Sequence, residues 1–306
     1  LRALGLKKGD RILLQSRNNL QTFENSWTAF KLGCVWVPTN FRLTPPEVAY
    51  LGASSGAVAM VVEDIFAGHT DAVKAESKTL KHIIAIGQPR AGELSYEAMI
   101  AQHLGVVSEE ETVHYDDPLW FFYTSGTTGK PKGVQRDTGG YAVALAASMQ
   151  HIFEGQAGQV YFSTSDIGWV VGHSYIVYGP LIAGIATLMY EGLPTRPHGG
   201  VWWELVEKYK VTHMFSAPTA VRVLKKQDPA LLSKYDISSL KALYLAGEPL
   251  DEPTAQWIAD GLKKPIIDNY WQTETGWPIL TVANGVQKMS SKYGSPGIPM
   301  YGYDVK

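Results

Sequence analysis

Short uninterrupted apolar runs alternate along the chain with longer stretches whose apolar residues return every three or four positions. Runs at 11–15, 35–37, 57–62 and 82–86 read as strands, the second stopped by Pro38. Between them, 22–32, 46–51 and 71–76 carry helical spacing. After a polar stretch at 108–117 the alternation resumes with a strand at 119–123. Trp202, Leu205, Val206 and Tyr209 fall on one face of a helix that leads into a strand at 211–215. Further strands at 241–246 and 265–267 flank a helix over 254–262. Strand and helix alternating at this spacing predict an α/β domain of largely parallel sheets covered by helices. No fixed-period repeat or low-complexity tract is visible, and the softest place for a domain boundary is 88–111, rich in charge and glycine.

One uncharged run, 167–190, is long enough to span a bilayer. Gly168, Gly172, Gly179, Gly184, His173 and Pro180 break it up, so it predicts a buried turn, helix and strand instead. A hydrophobic content of 45% and a charged content of 18% over 306 residues are those of a globular chain with a sizeable core. The formal net charge of −2 provides no general positive field for nucleic acid or an anionic membrane, so neither partner is expected. Cys34 is the one cysteine; it excludes an intramolecular disulfide, suits a reducing, cytoplasmic setting, and its apolar neighbours predict burial. The first ten residues hold no apolar stretch suited to a signal peptide, and a start on Leu1 rather than Met points to a piece of something longer. The eight histidines form no HExxH pair, and one cysteine cannot build a zinc site.

The densest chemistry lies in Thr124-Ser-Gly-Thr-Thr-Gly-Lys-Pro-Lys-Gly133. It follows an apolar strand and packs hydroxyls (Thr124, Ser125, Thr127, Thr128), glycines (Gly126, Gly129) and lysines (Lys130, Lys132) into one loop. Glycines let backbone N–H groups turn inward around an anion, hydroxyls add donors and lysines add charge, which together make a phosphate cradle rather than a plain polar hairpin. A Walker loop needs four residues between its glycines and a hydroxyl after the lysine. Here two residues separate Gly126 from Gly129, and Pro131 follows Lys130, so that reading fails.

This loop resembles the signature of the adenylate-forming superfamily, which includes acyl-CoA synthetases, firefly luciferase and peptide-synthetase adenylation domains. Two further segments match in the same order. Tyr244-Leu-Ala-Gly-Glu-Pro249 is similar to the strand end that lies against adenine, and Asp268-Asn-Tyr-Trp-Gln-Thr-Glu-Thr-Gly276 to the aromatic-x-x-Thr-Glu motif. From Val134 onward, including Asp166-Ile-Gly-Trp-Val-Val-Gly-His173, the match is closest to short-chain acyl-CoA ligases of the propionate and acetate kind. Gly5-Leu-Lys-Lys-Gly-Asp10 and Val37-Pro-Thr-Asn-Phe-Arg-Leu-Thr44 look more like the general fatty-acyl branch.

The resemblance implies helix-flanked β-sheets with a small β-barrel over 1–306, as the large domain of an AMP-forming acid–thiol ligase. It implies ATP, Mg²⁺ and CoA. Thr124 and the loop through Lys132 would hold phosphates; Glu274 with Thr124 would hold the metal, and Thr273 would lie near the α-phosphate. A carboxylate beside triphosphate makes sense only with a cation between them. Gly247, Glu248 and Pro249 would lie along adenine, with Asp268, Asn269, Tyr270 and Gln272 near the nucleotide. Trp271 would close the acyl tunnel to long chains, with Trp169, Val170, Val171 and Ala246 completing the wall. The small Ala246 favours propionate over acetate by the room of one carbon. His173 would stand where the acyl and pantetheine paths cross. No basic segment matches the CoA-phosphate arginines of the acetate enzymes, so CoA rests on the family. The family's ribose-binding Asp, hinge and small lysine-bearing domain would follow beyond Lys306, so the chain alone is expected to be impaired. A domain loading a carrier protein and a non-catalytic nucleotide-binding fragment are the alternative readings.

Overall fold

The computed structural model describes residues 1–124, 129 and 131–306. They fall into two units: Leu1–Tyr141 with Asp166–Trp169, and Ala142–Ser165 with Val170–Lys306. The division therefore does not fall at 88–111. That stretch lies inside the first unit, where it supplies an edge strand and the helix Tyr96–Gln102, which packs on the neighbouring strand.

The first unit is built on a sheet of seven strands: β1 (Arg11–Gln15), β2 (Val35–Pro38), β3 (Ala59–Glu63), β4 (His82–Ile86), β5 (Leu94–Ser95), β6 (Pro118–Thr124) and β7 (Lys132–Asp137), in the order β5-β4-β3-β1-β2-β6-β7. All neighbours are parallel except the β6–β7 hairpin. The central strands β1, β2 and β3 are buried on nearly every residue, as strands covered on both faces must be. Pro38 does not stop β2 but ends it, paired with Leu14. One face packs Leu13, Val37, Met60 and Val62 against Val48, Leu51 and Val73 from the helices Pro45–Ser55 and Ala67–Glu76. Those helices approach closely at Gly52, where a Cβ would stand 2.8 Å from a Val73 methyl. Local signals place the helix starts. Asn19 accepts the Thr22 N–H at 2.8 Å, and Glu47 accepts the Thr44 N–H at 2.7 Å ahead of two prolines. Cys34, just before β2, is buried, and burial pushes its thiol up to about 12.

The second unit carries β8 (Val160–Ser163), β9 (Ala186–Leu188), β10 (His213–Ser216), β11 (Ala242–Ala246) and β12 (Ile266–Asn269) in one parallel sheet, ordered β12-β11-β10-β8-β9. One face is aliphatic and carries the helices Val201–Tyr209, Pro218–Lys225 and Glu252–Leu262, with Trp202, Trp203, Val206 and Ile258 driven inward. Fully burying a large apolar side chain contributes about 1.5–3 kcal/mol, so this layer is a major source of the unit's stability. The opposite face is aromatic: strand alternation brings Tyr161, His213, Phe215 and Tyr244 together with Phe153 and Tyr175. The uncharged run resolves into a helical turn Val170–Gly172, a π turn His173–Tyr178, a helical turn Gly179–Ile182 and β9. No helix among the described residues is long and apolar enough to cross a membrane. A closed barrel does not form among the described residues; the remaining strands, β13 (Leu280–Thr281) and β14 (Ile298–Pro299), make a two-stranded ribbon too short to close.

His213 lies between the rings of Tyr161 and Tyr244, at 6.0 and 6.4 Å, and burial lowers its pKa from 6.5 to about 4. An unfolded chain takes a proton near pH 6.5, whereas the folded one resists it until about 4. Stability is therefore intact above that window and lost as pH falls through it, by about 3 kcal/mol in total. Urea titrations of the parent and His213→Gln at pH 7 and pH 4 should show the variant losing less stability on acidification. Equal losses would mean that His213 is not the acid-sensitive group.

Candidate functional site

Ligands of open α/β sheets gather beyond the carboxyl ends of parallel strands. β6 ends at Thr124, β11 at Ala246 and β12 at Asn269, so each segment singled out in the sequence begins at such an end. In the first unit, Thr124 pairs directly across the hairpin from Lys132. The glycine-rich loop is thus a hairpin connection as well as a candidate anion cradle. Gly129 has φ 91°, and among the described residues no atom lies within 4 Å of a would-be Cβ, so glycine suits the backbone conformation there. Lys132 is exposed and Thr124 half-buried. Ser125, Gly126, Thr127, Thr128 and Lys130 lie outside the described residues.

The segment Asp166–Trp169 belongs to this same unit. The Ile167 N–H donates to Asn18 Oδ1 at 2.9 Å. A Cβ on Gly168 would stand 2.8 Å from the Thr39 carbonyl oxygen, so only glycine allows that approach. Burial raises the pKa of Asp166, opposed by the Gly168 N–H and by Arg42 at 3.9 Å. Trp169 then projects with half of its surface exposed.

In the second unit, Ala246 and Asn269 are register neighbours at the ends of β11 and β12. Gly247 follows at φ 105°. The Glu248 carboxylate turns away toward the helix Pro218–Lys225, accepting from the Thr219 N–H at 2.6 Å, the Thr219 hydroxyl and Arg222 Nη1 at 3.0 Å. Those bonds, led by the Thr219 hydroxyl, hold its pKa below the usual range. Arg222 also donates to the Pro249 carbonyl at 3.1 Å. Asn269 spends its amide on the fold: Nδ2 donates to the Leu245 and Ile267 carbonyls, and Oδ1 accepts from the Thr281 hydroxyl at 2.6 Å. Burial pushes the Asp268 carboxyl up to about 6, against backbone N–H bonds from Asn269 and Leu250 that favour its charged form. Tyr270 keeps an exposed ring, and its hydroxyl accepts from Gln272 Nε2 at 3.0 Å. The Thr275 and Gly276 N–H groups both return to the Gln272 carbonyl, closing a turn that presents half-buried Thr273 and exposed Glu274.

Trp271 is buried, stacked on Phe215 at 6.4 Å and met edge-on by Tyr175 at 5.6 Å. Val170 and Ala246 are buried in this unit and Val171 half-buried. His173 is buried, with Nδ1 3.3 Å from the Tyr178 hydroxyl. Sequence reasoning missed Phe215, Tyr175, Thr219 and Arg222. Period-two alternation along β10 is a signal that aligns Phe215 with Tyr244; nothing local marks Thr219 or Arg222 as the partners of Glu248.

Thr124 and Glu274 offer an alcohol and a carboxylate oxygen, hard donors of the kind Mg²⁺ takes. Among the described residues, no group of three or more His, Cys, Asp or Glu could hold a metal by itself. The Thr124 and Glu274 oxygens are each a donor type that Mg²⁺ takes alongside phosphate oxygens.

Comparison with known proteins bears on what these strand ends do. A propionate–CoA ligase of Escherichia coli (strain K12) is 46% identical over the whole of this chain and 51% of its own length. A propionate–CoA ligase of Salmonella typhimurium is 56% identical over 77% of this chain and 39% of its own length. An acetyl-coenzyme A synthetase of Nitrosomonas europaea is 32% identical over the whole chain and 49% of its length. The chain thus spans about half the length of the curated relatives it matches across its full extent. Among solved structures, the anthranilate CoA ligase AuaEII in complex with anthranoyl-AMP superposes with a TM-score of 0.87 at 22% identity, covering 99% of this chain and 56% of that one. That likeness carries the fold. The family model described as AMP-binding enzyme matches residues 1–306, and the chain belongs to that family.

Proposed function

We propose that this chain is the nucleotide- and acyl-binding part of an AMP-forming short-chain acid–CoA ligase that favours propionate. The observation that carries this reading is its 46% identity, along its whole length, to a propionate–CoA ligase. The buried indole of Trp271, packed against Phe215 and Tyr175, supports a short acyl group by filling space that a longer chain would need.

In the first half-reaction a carboxylate oxygen bonds to the α-phosphorus of ATP, and the bond to the bridging oxygen of the leaving pyrophosphate breaks. One anion approaches another, so the barrier is lowered chiefly by preorganised donors and positive charge. Thr124, Lys132 and the loop between them bind the triphosphate, and Thr273 donates near the α-phosphate. Glu274 would hold Mg²⁺, with Thr124 a second oxygen of the kind the ion takes, and the ion when bound would neutralise phosphate charge. The backbone of Gly247, Glu248 and Pro249, with the exposed ring of Tyr270, receives adenine; Asp268 and Gln272 stand beside it. Val170, Val171, Ala246 and Trp271 exclude water and long chains from the carboxylate. In the second half-reaction the CoA sulfur bonds to the acyl carbon, the acyl–phosphate bond breaks and AMP leaves; His173 stands beside the acyl path.

Propionate-dependent exchange of labelled pyrophosphate into ATP by the intact gene product tests the reading. Exchange above the acid-free background is expected, with acetate weaker and hexanoate weaker still. Nucleotide binding without exchange would favour a non-catalytic binding protein. A protein that exchanges but passes its acyl group only to a phosphopantetheinylated carrier would favour the carrier-loading alternative. Lys132→Ala should shrink the rise in unfolding temperature produced by MgATP, because a ligand stabilises only as far as it binds the folded state. An undiminished rise would remove Lys132 from the phosphate site.

A further inference from the structure

We infer that the π turn His173–Tyr178 is a positioning element that fastens the acyl wall and the nucleotide loop together, through Tyr175 at one end of that loop and Ser174 at the other. The inference rests on the function proposed above and assigns roles to two residues outside its binding set.

The turn is six residues long, all buried, and sits between the short helices Val170–Gly172 and Gly179–Ile182. Its Tyr175 departs from helical geometry, at φ −128° and ψ 16°. A π turn inserts a residue into the helical repeat and redirects the side chains that follow, and such turns recur at functional sites. Here the redirection sends two consecutive side chains to two points of one loop. The Ser174 hydroxyl donates to the Gly276 carbonyl at 2.7 Å, a buried bond spanning 102 residues of sequence. The Tyr175 ring meets the Trp271 ring edge-on at 5.6 Å.

Between those two grips lie Gln272, Thr273, Glu274 and Thr275. The loop closes on itself at Gln272 and Thr275: the N–H groups of Thr275 and Gly276 share the Gln272 carbonyl, each at 3.1 Å, and the Thr275 hydroxyl accepts from the Gln272 N–H at 3.2 Å and lies 2.9 Å from the Gln272 carbonyl. Gly276 has φ 76°, a left-handed conformation that a side chain would strain. Ser174 therefore adds a buried anchor from outside the loop, at the end of a turn whose own hydrogen bonds hold its shape but not its place. Tyr175 is in turn anchored on the helix Thr138–His151, its hydroxyl 3.0 Å from Ser148 Oγ, and on Phe153 at 4.7 Å between ring centres. The Trp271 indole cannot move without pressing on Tyr175, and Tyr175 cannot move without carrying Ser174. Displacement at the acyl wall is thereby passed to the residues proposed to meet Mg²⁺ and the α-phosphate.

Ser174→Ala in the intact gene product removes one fastening and leaves the other. Amide hydrogen exchange at Thr275 and Gly276 should quicken about tenfold, with no change across 138–151, because the loss of one buried hydrogen bond lowers the local opening cost. In pyrophosphate exchange, KM for MgATP should rise about tenfold while KM for propionate stays within twofold. Ser174→Cys keeps a weaker donor in similar volume and should fall between parent and alanine variant on both readouts. Loop exchange no faster than the parent's overturns the inference, as does an equal rise in both KM values. A parent that shows no propionate-dependent pyrophosphate exchange overturns the proposed function instead, and leaves the hydrogen-exchange result to decide whether Ser174 holds the loop.

Discussion

Trp271→Gly is expected to move acyl preference from propionate to hexanoate. The indole is 9% exposed and wedged by Phe215 and Tyr175, so its removal leaves a hole that neighbouring rings, themselves packed, fill only in part. Deleting a large buried aromatic side chain costs about 3–5 kcal/mol of stability, and the variant should unfold at a visibly lower temperature. A hexanoyl chain can occupy the vacated volume. Each buried methylene contributes about 0.8 kcal/mol, so three more of them favour hexanoate over propionate by about 2 kcal/mol, roughly thirtyfold in kcat/KM. The parent should show the reverse order, with propionate ahead of acetate by only about 1–3 kcal/mol, since one methylene in an apolar pocket discriminates no further. Comparison of kcat/KM for acetate, propionate and hexanoate in parent and variant checks this. A variant that still prefers propionate to hexanoate would show that Trp271 does not close the acyl path.

Glu274→Gln should lower propionate-dependent pyrophosphate exchange by about 10²–10³-fold, the loss typical of removing one preorganised electrostatic group at a reacting centre. Gln keeps the size of the side chain and one oxygen but discards its charge, so the change reports on holding a cation rather than on packing. Glu274 is exposed at the crest of its turn, so the unfolding temperature should move little. Loss of activity should be partly recovered at high Mg²⁺ concentration if the carboxylate helps retain the ion. Exchange within tenfold of the parent, unaffected by Mg²⁺, would place Glu274 outside the reaction.

The alternation of short apolar runs and helical spacing already specified most elements. β1 occupies the run expected of it, and the helix Val201–Tyr209 turns Trp202 and Val206 inward as its spacing demands, although Trp203 is buried as well and Tyr209, expected on the same face, is exposed. Such features are legible because capping, strand alternation and helical amphipathicity act between residues no more than a few positions apart. The candidate phosphate loop could be singled out for a related reason, since its chemistry is contiguous; five of its residues lie outside what the structure describes.

What the sequence alone could not determine was which distant side chains would meet. The Glu248 carboxylate is held by Thr219 and Arg222, and the Asn269 amide by Thr281 and two strand carbonyls. Tyr175 and Phe215 meet Trp271 from 96 and 56 positions away. The expected boundary at 88–111 gave way to one at residue 141, because β5 and the following helix add to the first sheet rather than leave it. Composition and periodicity thus determined that these segments are strands, helices and glycine-rich turns. Their order in the sheets, and so the partners of each site residue, came from long-range packing, in which a side chain's neighbours are chosen by register and burial rather than by its place in the sequence.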